Sequence, residues 1–157
     1  MTKTKLNIES WNRKEHFRFF SAFDDPFFGI TTNVDFTTIY LEAKHDSQSF
    51  FLYSLHHILT KANETDEFKL RIEGGNSVVS PTIGREDVIR YSSIPWFSFS
   101  EMKHAVSFKN GDSVPRISTG KLIDTNGKML LPISICAHHG LMDGKHIAQF
   151  LNKLSEP

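Results

Sequence analysis

The densest chemistry in this chain lies in seven residues, His138-His139-Gly140-Leu141-Met142-Asp143-Gly144. An imidazole titrates near neutrality, so a positioned one can take a proton from a hydroxyl without extreme tuning. An acid on the same turn can fix local geometry if it finds a cation. Residue types alone leave three readings open: a catalytic base, a packed core histidine beside an exposed one, or metal ligands. His138, His139 and Asp143 could serve as ligands, as could His56 and His57. Adjacent strand residues point to opposite faces, so His138 and His139 cannot easily share one ion. The chain has no cysteine cluster and no His-Glu-x-x-His pattern, so no metal is expected.

The flanking segments must deliver this turn. Leu131, Ile133, Ile135 and Ala137 alternate, which predicts a strand over Lys128–Ala137. Ile147, Phe150, Leu151 and Leu154 recur at helical spacing, which predicts an amphipathic helix from Gly144. Gly144 is expected to let the backbone pass close to its neighbours where that helix begins. A second strand, Arg116–Ile123, is expected to pair with the first around the Asn126-Gly127 turn.

Upstream, Trp11–Phe20 reads as a short helix capped by Ser10, and Ile30–Phe36 as a strand. Gln48–Asn63 reads as a helix whose buried face holds Phe51, Leu55, Ile58, Leu59 and Ala62. Phe68, Leu70 and Ile72 alternate into a hairpin turning at Gly74-Gly75-Asn76, and Tyr91–Phe99 is aromatic and extended. No internal repeat or low-complexity linker interrupts the 157 residues, so a single domain over 1–157 is expected. The mixture is an α/β arrangement.

Composition narrows the partners. Lys plus Arg equals Asp plus Glu at 18 each, so no net charge gathers phosphates and nucleic acid is not an expected partner. No segment has the apolar length of a membrane span, and residues 1–15 lack a signal-peptide core. The single cysteine, Cys136, cannot close an internal disulfide, which fits a reducing cytoplasm. Fourteen aromatics are Phe, against two Trp and three Tyr, which favours packing and apolar pockets over polar aromatic recognition.

The string His138–Gly144 resembles the His-His-x-x-x-Asp-Gly signature of coenzyme A-dependent acyltransferases. Its surroundings resemble the chloramphenicol acetyltransferases. Trp11-Asn12-Arg13-Lys14-Glu15-His16-Phe17 is similar to that family's opening. Val34–Thr38, Asp66–Ile72, Tyr91-Ser92-Ser93-Ile94-Pro95-Trp96, Pro115–Lys121 and Leu130–His139 follow in the family's order. The resemblance implies a two-layer sandwich in which helices cover a mixed β-sheet.

It further implies that acetyl-coenzyme A is co-substrate and that a small alcohol, chloramphenicol or a similar one, is acceptor. His139 would be the general base in a direct ternary-complex transfer. Ser92 would donate to the charge developing on the thioester carbonyl oxygen. Asp143 would pair with Arg13 and tie the N-terminal helix to the turn, rather than orient the imidazole. Ser118 stands where a family threonine holds a water, and Phe20 where a tyrosine lines the acceptor pocket. The family is trimeric, with sites between subunits, so Ser92 and His139 would act across an interface. The chain is shorter than that pattern, and the shortage falls near Gly84–Asp87. A module that keeps the fold and binds without turnover, or a truncated variant with little activity, is the alternative.

Overall fold

The computed structural model describes residues 4–75, 77–80, 89–104 and 112–156. Among them, eight strands and four α-helices follow in chain order. β1 is Thr4–Lys5, α1 Lys14–Phe20, β2 Phe27–Asp35, α2 Thr37–His45 and α3 Phe50–Asn63. β3 is Arg71–Glu73, β4 Ser77–Ser80, β5 Arg90–Ser93, β6 Arg116–Thr119 and β7 Ile123–Thr125. β8, Lys128–His138, leads through the histidine turn into α4, Gly144–Leu154. The family-relative shortage expected near 84–87 lies outside the described residues. No helix among the described residues is long and apolar enough to cross a membrane.

The main sheet runs β2-β8-β6-β5, with β7 paired to β8. It is mixed, because β5 and β6 run parallel while the β2–β8, β6–β8 and β7–β8 pairs are antiparallel. β8 occupies the centre and is largely buried, as its isoleucine-rich sequence requires. Its alternate residues Leu131, Ile133, Ile135 and Ala137 join Ile58, Phe150 and Ile147 in one core between sheet and helices. A smaller sheet, β1-β4-β3, lies apart from the main one. Its Val78 clusters with Phe17 of α1 and Leu141 of the turn.

Several expected elements shift. The first helix begins at Lys14 rather than Trp11, because Asn7 caps a 3₁₀ turn over Ile8–Ser10. Ser10 instead donates its hydroxyl to the Asn7 carbonyl at 3.2 Å. Phe68 sits in a 3₁₀ turn over Asp66–Lys69, where its ring packs 4.7 Å from Phe150. On α3 the buried positions are Ser54, Ile58 and Ala62, and Phe51 is exposed. The expected face was thus rotated toward Phe51, which lines a surface pocket instead.

Candidate active site

The turn after β8 is held from two sides. Leu141 and Met142, each 1% exposed, enter different clusters: Leu141 packs with Phe17 and Val78, Met142 with the main core. Both of their N–H groups donate to the His138 carbonyl, at 2.9 and 3.2 Å. Gly140 permits this tight path, since a Cβ there would lie 3.0 Å from the His138 ring and 3.3 Å from the Phe17 backbone. Gly144 does not carry the close approach expected of it. A Cβ there would meet only Ile30, at an ordinary 3.9 Å.

The two histidines have different fates. His138 is buried, and its Nδ1 accepts from the Gly140 N–H at 3.1 Å. Burial first, and the neighbouring His139 second, hold its pKa down at about 4, so it stays neutral. His139 is half-buried. Its ring lies flat on Phe20, with centroids 3.9 Å apart and planes 3° from parallel, and Phe28 closes in at 4.5 Å. Its N–H donates to the Pro26 carbonyl at 2.8 Å. Nδ1 is buried without a partner, which leaves Nε2 as the nitrogen open to a substrate. Phe20 therefore backs the imidazole rather than simply filling core.

Arg13 and Asp143 meet across 130 residues of chain. Arg13 Nη1 donates to Asp143 Oδ2 at 2.5 Å, and Nη2 donates to the His139 carbonyl at 3.0 Å. The guanidinium fork thus straddles a carboxylate and the backbone of the candidate base, instead of gripping the carboxylate at two points. Asp143 also caps α4, accepting from Lys145 N–H at 3.0 Å, while its own N–H donates to His146 Nδ1. Burial alone would raise the Asp143 pKa. The Arg13 hydrogen bond, the His146 and Arg13 charges and the Lys145 N–H outweigh it and hold the group at about 2.

A depressed carboxylate stabilises the fold above its unfolded pKa, near 4, and that contribution fades as pH falls toward 2. Arg13→Met is expected to cost about 3 kcal/mol, the low end for a buried pair, because Asp143 keeps some exposure. A double-mutant cycle with Asp143→Asn, followed by urea unfolding at pH 7, should give coupling above about 1 kcal/mol. The coupling should shrink toward zero at pH 2. Additivity at pH 7 would remove the link between α1 and the turn.

Ser92 lies on β5, the edge strand, and is exposed. Register places it opposite Ser118, which is opposite Ser134, five residues before His139. At about 3.3 Å per residue and 4.8 Å per strand, the two candidate groups of one chain stand roughly 19 Å apart. A single chain therefore does not bring Ser92 to His139. Ser118 is fully buried and shares a 3.2 Å hydrogen bond with His104 Nε2. The sequence carried no signal for His104. It precedes Ser118 by 14 positions, and residues 100–104 bring it there along a pocket they line with Phe27, Thr31 and Cys136. Burial, then the Arg116 charge, lowers its pKa.

Two pockets flank these groups. One, of about 520 Å³, is walled by Phe50, Phe51, Trp96, Leu122 and Leu131, with Ser93, Thr119 and Lys121 also lining it. The other, of about 470 Å³, is lined by Phe27, Phe28, Thr31, residues 100–104 and Cys136. Cys136 is half-buried there, and burial raises its pKa while Arg116 opposes the rise. His57 is a core contact whose Nε2 donates to the Leu154 carbonyl at 3.1 Å. Among the described residues, no three His, Cys, Asp or Glu side chains converge as metal ligands.

The chain is similar in sequence and fold to known proteins. Chloramphenicol acetyltransferase 3 of Escherichia coli is 21% identical over 206 aligned positions, covering 99% of this chain and 97% of the relative. The chloramphenicol acetyltransferase of Proteus mirabilis is 22% identical, covering 96% and 92%. The aligned span exceeds the 157 residues present, so the relatives carry residues that this chain lacks. A solved chloramphenicol acetyltransferase superposes with a TM-score of 0.89 at 29% identity, covering 99% of this chain and 97% of that one. The cubic core of a pyruvate dehydrogenase multienzyme complex shares the fold at a TM-score of 0.64 and 14% identity, covering 87% and 82%. The family profile for chloramphenicol acetyltransferase matches residues 1–83 and 77–155, and with nearly the whole length so covered, this chain belongs to the chloramphenicol acetyltransferase family.

Proposed function

We propose that the protein is an acetyl-coenzyme A-dependent O-acetyltransferase that acts on chloramphenicol or a similar small alcohol, with His139 as general base. One observation carries this reading: an imidazole clamped between Phe20 and Phe28, anchored through its backbone by Pro26 and Arg13, with only Nε2 free to meet a substrate. A ring held this way loses little freedom when it accepts a proton.

In the step, Nε2 removes the hydroxyl proton as the alcohol oxygen forms a bond to the thioester carbonyl carbon. The negative charge on the carbonyl oxygen is met by the Ser92 hydroxyl of a second copy. The carbon–sulfur bond then breaks, and the proton passes from His139 to the sulfur, releasing the coenzyme A thiol and the acetyl ester. The separation of Ser92 and His139 within one chain supports assembly with sites between copies, and we read the assembly as a homotrimer. Arg13, Asp143 and the turn they brace position His139. Ser118 faces the same side as Ser92 and would order polar groups beside it.

The larger pocket suits the donor. Its Phe and Trp walls fit the pantetheine arm and adenine ring, and Lys121 offers a cation for phosphate. The test is free thiol release from acetyl-coenzyme A, with chloramphenicol heading a panel of alcohols. Release is expected to require an acceptor. No acceptor-dependent release from any alcohol, with the protein folded, would leave a binding module.

A further inference from the structure

The sheet face that carries Ser92 bears two side-chain rows. One is Ser92, Ser118, Ser134 and Thr31, set directly opposite one another across β5, β6, β8 and β2. The other, two residues back along β5 and β6, is Arg90, Arg116, Cys136 and Gly29. Directly paired residues project from the same face, and so do residues two apart on a strand. The Cα rows of the arginines and the hydroxyls therefore lie about 7 Å apart, and the Arg116 guanidinium leans over Phe27, on the side of its row away from the hydroxyls.

The pair shares one counter-charge. Arg90 Nη1 donates to Asp112 Oδ2 at 2.9 Å, and Arg116 Nη2 donates to the same oxygen. Two cations on one carboxylate leave a positive charge unmatched in the cluster. Arg116 is 5% exposed, lies over the Phe27 ring at 5.0 Å, and keeps Nη1 without any hydrogen-bond partner. A buried guanidinium nitrogen with no acceptor is costly unless a ligand supplies one. Asp25, which accepts from the Phe27 N–H at 3.1 Å, and Glu101 line the adjoining pocket, and neither is ion-paired with Arg90 or Arg116. Phe27 and Cys136, both beside Arg116, line the pocket of about 470 Å³ together with Phe28, whose ring packs against His139.

We propose that Arg90 and Arg116, held by Asp112 one row from Ser92, form the subsite for a carboxylate carried by the alcohol that this enzyme acetylates. The proposal rests on the reading of Ser92 as the donor at the reacting carbonyl. The acceptor hydroxyl must reach that point, so the rest of the acceptor lies over the adjoining row. A planar carboxylate matches the guanidinium fork, and a neutral ester of the same shape does not.

The test compares 4-(hydroxymethyl)benzoate with its methyl ester, whose para geometry sets hydroxyl and carboxyl about one row apart. The wild-type protein is expected to favour the acid at least tenfold in kcat/KM. Arg90→Gln and Arg116→Gln should each bring that ratio toward one. Arg90 is largely exposed, so its variant keeps the proposal testable if the Arg116 variant fails to fold. An ester acetylated as well as the acid would overturn the subsite, yet leave acetyl transfer standing. A second arm replaces acetyl-coenzyme A by acetylpantetheine, which lacks the nucleotide phosphates. If Arg90→Gln raises KM for the first donor and not the second, the cluster binds the donor's phosphate and the proposal fails. If no alcohol of the panel, the acid and its ester included, gives thiol release, the transferase reading falls, and the subsite with it.

Discussion

His139→Ala is expected to lower kcat/KM for acetyl transfer by about a hundredfold to ten-thousandfold. The ring's contribution to the fold is small by comparison. It stacks on Phe20 and tilts against Phe28, contacts of about 1 kcal/mol each beyond their buried area. Its backbone bonds to Pro26 and Arg13 survive the substitution. The variant should therefore stay folded, with a thermal midpoint a few degrees lower. The loss should fall on kcat, while KM for acetyl-coenzyme A changes little, because the larger pocket is lined by other residues. Full activity in a folded variant would move the base elsewhere. His138 is no substitute, since its ring is buried, neutral and bonded to Gly140.

Ser92→Ala is expected to cost about a hundredfold to a thousandfold, the range for one donor to a developing oxyanion. Ser92 is exposed on an edge strand, so the fold should be unchanged within about 0.5 kcal/mol. Its separation from His139 in one chain adds a sharper outcome. The two single variants, unfolded together in equal amounts and refolded, should regain activity that neither has alone. Random mixing in a closed ring restores about a quarter of the sites, each with His139 from one copy and Ser92 from its neighbour. A mixture no more active than the better single variant would show that the two groups do not work across an interface. Ser92→Ala with full activity would remove the donor role itself.

Some of this was written locally. The His138–Gly144 string marked the site because a strand period ran into it and a helix period left it. α4 formed over the residues expected, with Ile147, Phe150 and Leu154 all buried. The turn at Asn126-Gly127 formed because those residues tolerate the positive φ of 52° and 84° that a tight hairpin needs. Ser10 misled, because a hydroxyl before an apolar run caps a helix only where the backbone turns at that residue. Here a 3₁₀ turn capped by Asn7 uses up the chain first. Phe51 misled because periodicity reports an apolar stripe, not which side of the stripe a neighbour covers. Gly144 misled because spacing places a glycine near a crowded turn without telling which position is crowded.

The strand and helix that flank the turn, and the chemical types within it, were legible from local pattern, since both depend on residues a few positions apart. Its resemblance to a family also named Arg13, Asp143, Ser92 and His139 as partners. How they meet was set by the packing of the folded chain. It put one arm of Arg13 on the His139 carbonyl, laid Phe20 flat on the imidazole, brought His104 to Ser118, and set Arg90 and Arg116 in register beside Ser92. Those contacts depend on strand register and on how α1 docks against the turn. Such choices are made by packing between segments far apart in the chain, where local periodicity carries no information.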